Sequence, residues 1–128
     1  METNKIKVIL VEPGKKAVIT EIEDSLESMQ SVVGGLIEET MPFSDDVALI
    51  CNEEGKLINL QPNRAFTEDG QKIVDIIFGT FFIAYTPLDS EKFLGMPDDL
   101  AEKYEKLLNI PWAYLNWDSN TELPVIKL

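Results

Sequence analysis

Short apolar runs and segments that alternate apolar and polar residues with a period of two recur through the first 85 positions, which is the pattern of strands in a sheet. Strands are predicted, in chain order, at 6–11, 17–22, 36–41, 47–51, 56–60, 73–77 and 80–85. The first two form a hairpin across Glu12-Pro13-Gly14, and a loop at 52–55 joins 47–51 to 56–60 in a second hairpin. Residues 61–64 are predicted to break the strand at 56–60.

Two segments follow helical spacing instead. After the first hairpin comes a short amphipathic helix, which Asp24 is expected to cap and Gly34-Gly35 to end. A longer helix is predicted at 98–108, with acidic residues in its first turn and an apolar stripe along one side. These elements predict an α+β fold: a mostly antiparallel β-sheet, with the short helix after the first hairpin and the longer C-terminal helix packed on the sheet.

Length and composition fit one soluble domain spanning residues 1–128. At 128 residues, with 45% hydrophobic and 27% charged residues, the chain can build one core but not two of ordinary size. Its N-terminus does not resemble a secretory signal, and no window reaches the roughly 18 to 20 apolar residues of a membrane-spanning helix. We therefore expect a cytoplasmic protein without a membrane partner.

The absence of histidine narrows the chemistry. Ser-His-Asp and Cys-His catalysis are excluded, and a single cysteine leaves no plausible zinc site. Cys51 lies in the apolar run VALIC and is expected to be a core residue rather than a nucleophile. The sequence also lacks a phosphate-binding glycine loop and an EF-hand pattern. No catalytic residue, metal or cofactor is predicted.

The net charge of −12, from 23 acidic and 11 basic residues, bears on the choice of partner. Such a surface repels nucleic acid and anionic membranes, because nucleic-acid binding depends on clustered Lys and Arg. The expected partner is a basic protein surface, including one that normally binds nucleic acid. The acidic doublets Glu53-Glu54 and Glu68-Asp69 are candidate contacts, although solvated loops explain most such doublets. Trp112 and Trp117 either pack the tail onto the sheet or anchor a partner or a second copy of the chain.

The only arginine, Arg64, lies in a polar stretch with Asn52, Asn59 and Asn63 close to it in sequence. A guanidinium suits a phosphate, a carboxylate or a partner's backbone, and these four residues are therefore candidate binding residues. A lone arginine in an acidic protein more often ties two parts of the fold together through a carboxylate. The burial and partners of Arg64 decide between the two interpretations.

Several separated motifs carry a family resemblance: VEPGKK, SLESMQSVVGGLIE, VALICNEEGKL, PNRAF and DIIFGTFFIAY, in that order. Over roughly residues 5–85 the chain resembles a small family of domains of unknown function, number 3846 in the usual listing, found on phages, plasmids and integrative elements of Firmicutes. The helix and aromatic tail at 86–128 lie outside the resemblance. By position, the family's recurring residues correspond here to Gly34, Gly35, Asn52, Gly55, Asn63, Arg64, Gly79 and Thr80.

The resemblance implies no established activity, and its setting suggests an accessory role in a bacterial host cell. Our first hypothesis is a non-enzymatic protein of a phage or mobile element that inhibits a host defence protein through its acidic surface. The second is an oligomeric sponge that sequesters a small nucleotide signal, with Arg64 and nearby Asn side chains as donors. The third is a carboxylate-dependent hydrolase, which would require two facing carboxyl groups in a deep pocket.

Overall fold

A computed structural model describes residues 4–128 of the chain. The first of its two sheets has five strands in the order β2-β1-β7-β4-β3, with every neighbouring pair antiparallel. Their bounds are β1 Lys5–Val11, β2 Val18–Glu23, β3 Ile37–Thr40, β4 Val47–Asn52 and β7 Phe81–Tyr85. The central strands β4 and β7 are buried at nearly every position, because both faces of this sheet are covered.

Each face of the first sheet is covered by a helix. Helix α1, Leu26–Val33, buries Met29 and Val33 on one face, and α2, Asp98–Asn109, packs on the other. The predicted cap of α1 is wrong by one residue: the Ser25 hydroxyl, not Asp24, accepts from the Ser28 N–H at 3.1 Å. The helix ends as predicted at Gly34, whose φ of 80° is the left-handed conformation that favours glycine.

The second sheet has four strands in the order β6-β5-β9-β8. Their bounds are β5 Pro62–Thr67, β6 Ile73–Phe78, β8 Ala113–Asn116 and β9 Glu122–Lys127. Strands β5 and β9 pair in parallel, and the other two pairs are antiparallel. The tail beyond α2, for which no strand was predicted, thus forms half of this sheet.

The predicted second hairpin is wrong. The segment 53–60 is a series of turns, in which the Ile58 N–H donates to the Glu54 carbonyl at 3.0 Å and Asn59 has a φ of 57°. The predicted strand break at 61–64 is instead the start of β5. Strands β4 and β5 therefore belong to different sheets, and 53–60 is the crossing between them.

The main core lies between the first sheet, α2 and one face of the second sheet. Phe66 on β5 and Phe81 on β7 join the two sheets, with ring centroids 6.4 Å apart. In the same cluster, the ring of Tyr104 on α2 packs against the ring of Phe43, with centroids 4.9 Å apart. The predicted α+β class is confirmed, including the C-terminal helix packed on the sheet. Among residues 4–128, no helix has the length and apolar character to cross a membrane.

Candidate functional site

The two faces of the second sheet differ in what covers them. Phe66, Ile77 and Ile126 belong to the main core, so their strand neighbours point to the opposite side, which we call the outer face. The apolar cluster on the outer face consists of buried Ala65, Leu123 and Val125 with partly buried Ile73, Ile76, Ala113 and Leu115. All of these residues belong to the sheet itself. Within residues 4–128, no helix adds to the cluster. Its three buried members are at most 4% exposed, and the exposed apolar surface is at its border, at Val74 and Trp117.

Trp117 gives the outer face a groove. Its ring lies edge-on to Phe78 with centroids 5.5 Å apart, and 42% of the residue remains exposed. Between Trp117 and β6 is a cavity of about 360 Å³, lined by Val74, Ile76 and Asp75 among others. Such a groove accepts an apolar or long side chain from a partner.

The acidic doublets lie at opposite ends of the second sheet, not on one patch. Glu53 and Glu54 are in the turn whose Gly55 packs against the Phe78 carbonyl, at the Trp117 end. The doublet at 68–69 is in the β5–β6 loop, where Gly70 lies against the Trp112 ring. The length of β5 separates the two ends by about 17 Å. Each end of the second sheet thus has a tryptophan and exposed carboxylates near it.

Within the second doublet, the two carboxylates have different roles. Asp69 accepts hydrogen bonds from the backbone N–H groups of Gln71 at 2.8 Å and Lys72 at 2.9 Å, so it shapes its own loop. These backbone bonds hold the pKa of Asp69 below its ordinary value. Glu68 is exposed without such bonds and is therefore the member available to a partner.

Arg64 is buried, at 3% exposure, and it is not paired with a carboxylate as the structural interpretation assumed. Its Nε donates to the Leu108 carbonyl at 3.2 Å, and Nη2 donates to the Lys15 carbonyl at 2.8 Å. Nη1 donates to the Asn63 side chain at 2.8 Å. The guanidinium thus caps the C-terminal end of α2, where the helix dipole is negative. Burial lowers the pKa of Arg64, because it disfavours the charged form.

Asn63 and Asn52 are structural too. Asn63 is 1% exposed, and its Nδ2 donates to the carbonyls of Val11 at 3.0 Å and Gly79 at 2.9 Å, which joins the two sheets. Asn52 donates to the Val33 carbonyl at 3.1 Å at the end of α1. Asn59 is exposed in its turn and does not line the cavity beside Arg64. The candidate residues therefore fall into two groups. Arg64 and Asn63 form a buried set of hydrogen bonds between the sheets, which we call the inner polar clamp, and the others, apart from the buried Asn52, lie at the surface.

A second cavity, of about 300 Å³, contains the carboxylates of Glu38, Glu53 and Asp75. All three residues are exposed, so the cavity lacks the burial that tunes a carboxyl group for acid catalysis. Cys51 also borders this cavity, but it is 5% exposed, and burial raises the pKa of its thiol to about 11. Among residues 4–128, no group of three His, Cys, Asp or Glu side chains is placed to hold a metal.

These observations define a class: a two-sheet α+β protein with a polar clamp between the sheets and an open apolar face on one of them. The chain belongs to the family described as "Domain of unknown function (DUF3846)", whose match covers residues 6–109. No curated protein and no solved structure matches the chain.

The family match confirms the resemblance and extends it past residue 85 to include α2. The recurring residues carried over from the resemblance lie mainly at contacts of the fold. A side chain at Gly35 would approach Asn52 Nδ2 to 2.9 Å, and one at Gly79 would approach the Leu60 Cδ1 atom to 2.6 Å. Strands β8 and β9 lie outside the matched range.

Sequence reasoning missed several outer-face residues, namely Val74, Ile76 and Leu115. Alternation in AYLN and ELPVIK was the available signal, since Leu115, Leu123 and Val125 fall at the expected spacing. The four-residue length of β8 and the proline in β9 made that signal weak.

Proposed function

We propose that this protein is a non-enzymatic accessory protein of a phage or mobile element that acts by binding a host protein. The partner docks a basic surface on the outer face of the second sheet, and the consequence is inhibition of a host defence protein. One observation supports this above all: the apolar cluster on the outer face is bordered by exposed Val74 and Trp117, and the second sheet has exposed carboxylates near both ends. A contiguous apolar patch with a polar rim is typical of protein interfaces.

Charge favours a basic partner over a second copy of the chain. The protein carries a net charge of −12, and both ends of the second sheet are acidic. Two copies stacked by this face would bring carboxylates against carboxylates in either orientation, which is unfavourable. A basic surface would instead meet complementary charge at both ends. Sedimentation of the pure protein tests the choice, and a stable dimer that Trp117→Ser dissolves would identify a second copy as the occupant.

The first experiment measures binding to a defined partner. Proteins retained from a bacterial host lysate at low salt are identified, and the basic candidate is purified and titrated by calorimetry. Truncation of a central aromatic anchor typically weakens binding by 2 kcal/mol, so Trp117→Ser should raise Kd about 30-fold. Leu88→Ser is the control, since Leu88 is 93% exposed and lies outside the second sheet. An equal loss of affinity in both variants would contradict the proposal that the partner binds the outer face.

The second experiment tests the acidic ends. Glu53→Lys, Glu54→Lys and Glu68→Lys are combined, while Asp69 is kept because it shapes its loop. The matched control reverses three exposed acidic residues elsewhere: Asp89, Glu91 and Glu102. Both variants change net charge equally, so a larger loss of association rate in the first places the contact at the outer face. If both variants bind alike, or if binding is insensitive to salt, charge does not select the partner.

A further inference from the structure

One cavity of the protein differs in charge from the others. A space of about 340 Å³ is lined by Arg64, Lys15 and Lys16, with Glu122 as the one acidic residue in its lining. Four other cavities formed by residues 4–128 each have at least as many acidic as basic residues in their lining. In a protein of net charge −12, this concentration of cations requires an explanation.

The buried guanidinium at the base of this cavity is incompletely neutralised. Arg64 forms no ion pair with a carboxylate of residues 4–128; its acceptors are the carbonyls of Leu108, Lys15 and Asn63 and the Asn63 side chain. A helix C-terminus supplies about half a negative charge, which leaves a net positive charge. Nη2 makes one hydrogen bond, to the Lys15 carbonyl, and Arg64 is among the residues that line the cavity.

Two exposed lysines and one aromatic side chain also line the cavity. Lys15 and Lys16 are exposed beside it, and the one ion pair of Lys15, with Glu12 at 3.6 Å, is on the surface. Tyr114 lines the cavity and is 62% exposed. Lysine and arginine donors suit a phosphate, and an exposed tyrosine ring suits stacking on a base. The volume lies within the usual range for small-molecule sites.

We propose that this cavity binds a mononucleotide, with its phosphate at Arg64, Lys15 and Lys16 and its base on Tyr114. This site is on the side of the second sheet opposite the outer face, because Tyr114 alternates with Ala113 and Leu115. It therefore stands independently of the protein-binding proposal, and either can fail alone.

The test is calorimetric titration of the full chain at low salt with adenosine monophosphate, uridine monophosphate, adenosine and inorganic phosphate. We expect a monophosphate to bind at least tenfold more tightly than either the nucleoside or phosphate. At ten times Kd, the monophosphate should raise Tm by about 5 °C. If inorganic phosphate binds as tightly as the nucleotide, the proposed base contact with the protein is wrong. If neither monophosphate gives a heat of binding at a concentration of about 10 mM, the proposed site as a whole is wrong.

Variants locate the binding. Lys15→Gln with Lys16→Gln should weaken nucleotide binding at least tenfold, and Tyr114→Ser should remove the preference for nucleotide over phosphate. The control is Lys5→Gln with Lys72→Gln, which removes the same charge from exposed positions away from the cavity. Circular dichroism checks that each variant folds. Equal weakening by both pairs would show general charge attraction and would contradict a site at this cavity.

Discussion

The two sheets differ in how many of their faces are covered. The first sheet lies between α1 on one side and α2 with the second sheet on the other, so its central strands are buried on both faces. The second sheet is covered on one face, and on the other it presents Val74 and Trp117 at 50% and 42% exposure. The first sheet therefore serves mainly the stability of the fold. The exposed apolar residues Val18 and Ile19 of the first sheet are confined to its edge strand β2. The second sheet exposes apolar side chains around its outer face, which is a usual mark of an interaction surface.

The largest difference between the sheets should appear on truncation of buried apolar residues. Phe82, at 0% exposure on β7 in the first sheet, packs under α1, so Phe82→Ala should lower the free energy of unfolding by about 4 kcal/mol. Leu115 on the outer face is only partly buried, and Leu115→Ala should lower it by about 1 kcal/mol. Urea unfolding measures both. Losses of similar size would mean that the outer face is as well covered as the first sheet.

A smaller loss in the free energy of unfolding is expected when the inner polar clamp that joins the sheets is disrupted. Asn63→Ala removes bonds to Val11, Gly79 and Arg64 in a buried site, which should cost about 3 kcal/mol. Both tryptophans lie beside the second sheet, so their fluorescence reports that sheet, while far-UV circular dichroism reports both. In the wild type the two unfolding curves should coincide, and in the variant the fluorescence transition should come at lower urea. The exposed Asn116→Ala is the control, and an Asn63→Ala protein that behaves like it would rule out the clamp.

The smallest expected change in stability concerns the contact of α2, which covers one face of the first sheet, with Asp45, and this change depends on pH. Asp45 accepts from Tyr104 Oη and Lys103 Nζ, each at 2.6 Å, and these bonds lower its pKa from the ordinary 3.8. Because the folded-state pKa is the lower one, the stabilisation is present above about pH 4 and is lost as the pH falls through the folded value. Asp45→Asn should therefore cost about 1 kcal/mol at pH 7 and progressively less below pH 4.

Urea unfolding from pH 7 to pH 2.5 measures this dependence, with Asp46→Asn as the neighbouring control on an exposed side chain. The other carboxylates titrate in wild type and variant alike, so they cancel in the difference between the two proteins. A difference that stays constant across the range would show that the Asp45 charge is not what holds α2 in place.

The sequence predicted the first sheet and both helices because their patterns are local. The alternation in β2, the apolar runs of β1 and β4, the left-handed glycine after α1 and the apolar stripe of α2 each follow from neighbouring residues. The second sheet depends on distant partners. Its β5 buries Asn63 and Arg64, whose polar groups are satisfied by carbonyls from β1, α2 and the Lys15 turn. A buried polar pair after proline has the appearance of a loop in sequence, so the strand was placed at 56–60 instead.

The same dependence explains the outcome for the candidate residues. The tryptophans and acidic doublets are exposed, but their arrangement at two ends follows from strand order, which composition does not contain. Lys15 and Lys16 were not chosen, because only the fold brings them to Arg64 across almost fifty positions of the chain. The sequence singles out Arg64 as the only arginine, but its partners, which are backbone carbonyls and Asn63 rather than a carboxylate, could not be predicted from it.

The position of β9 has a consequence for how the chain acquires its structure. This strand is the last in sequence, yet it lies between β5 and β8 and pairs with β5 in parallel. The second sheet cannot be completed until residue 127 has left the ribosome, whereas every strand of the first sheet is available once residue 85 has been made. Contacts between such distant segments form slowly. Until then the unpaired edge of β5 stays open, so nascent chains are most exposed to mispairing just before synthesis reaches the final strand.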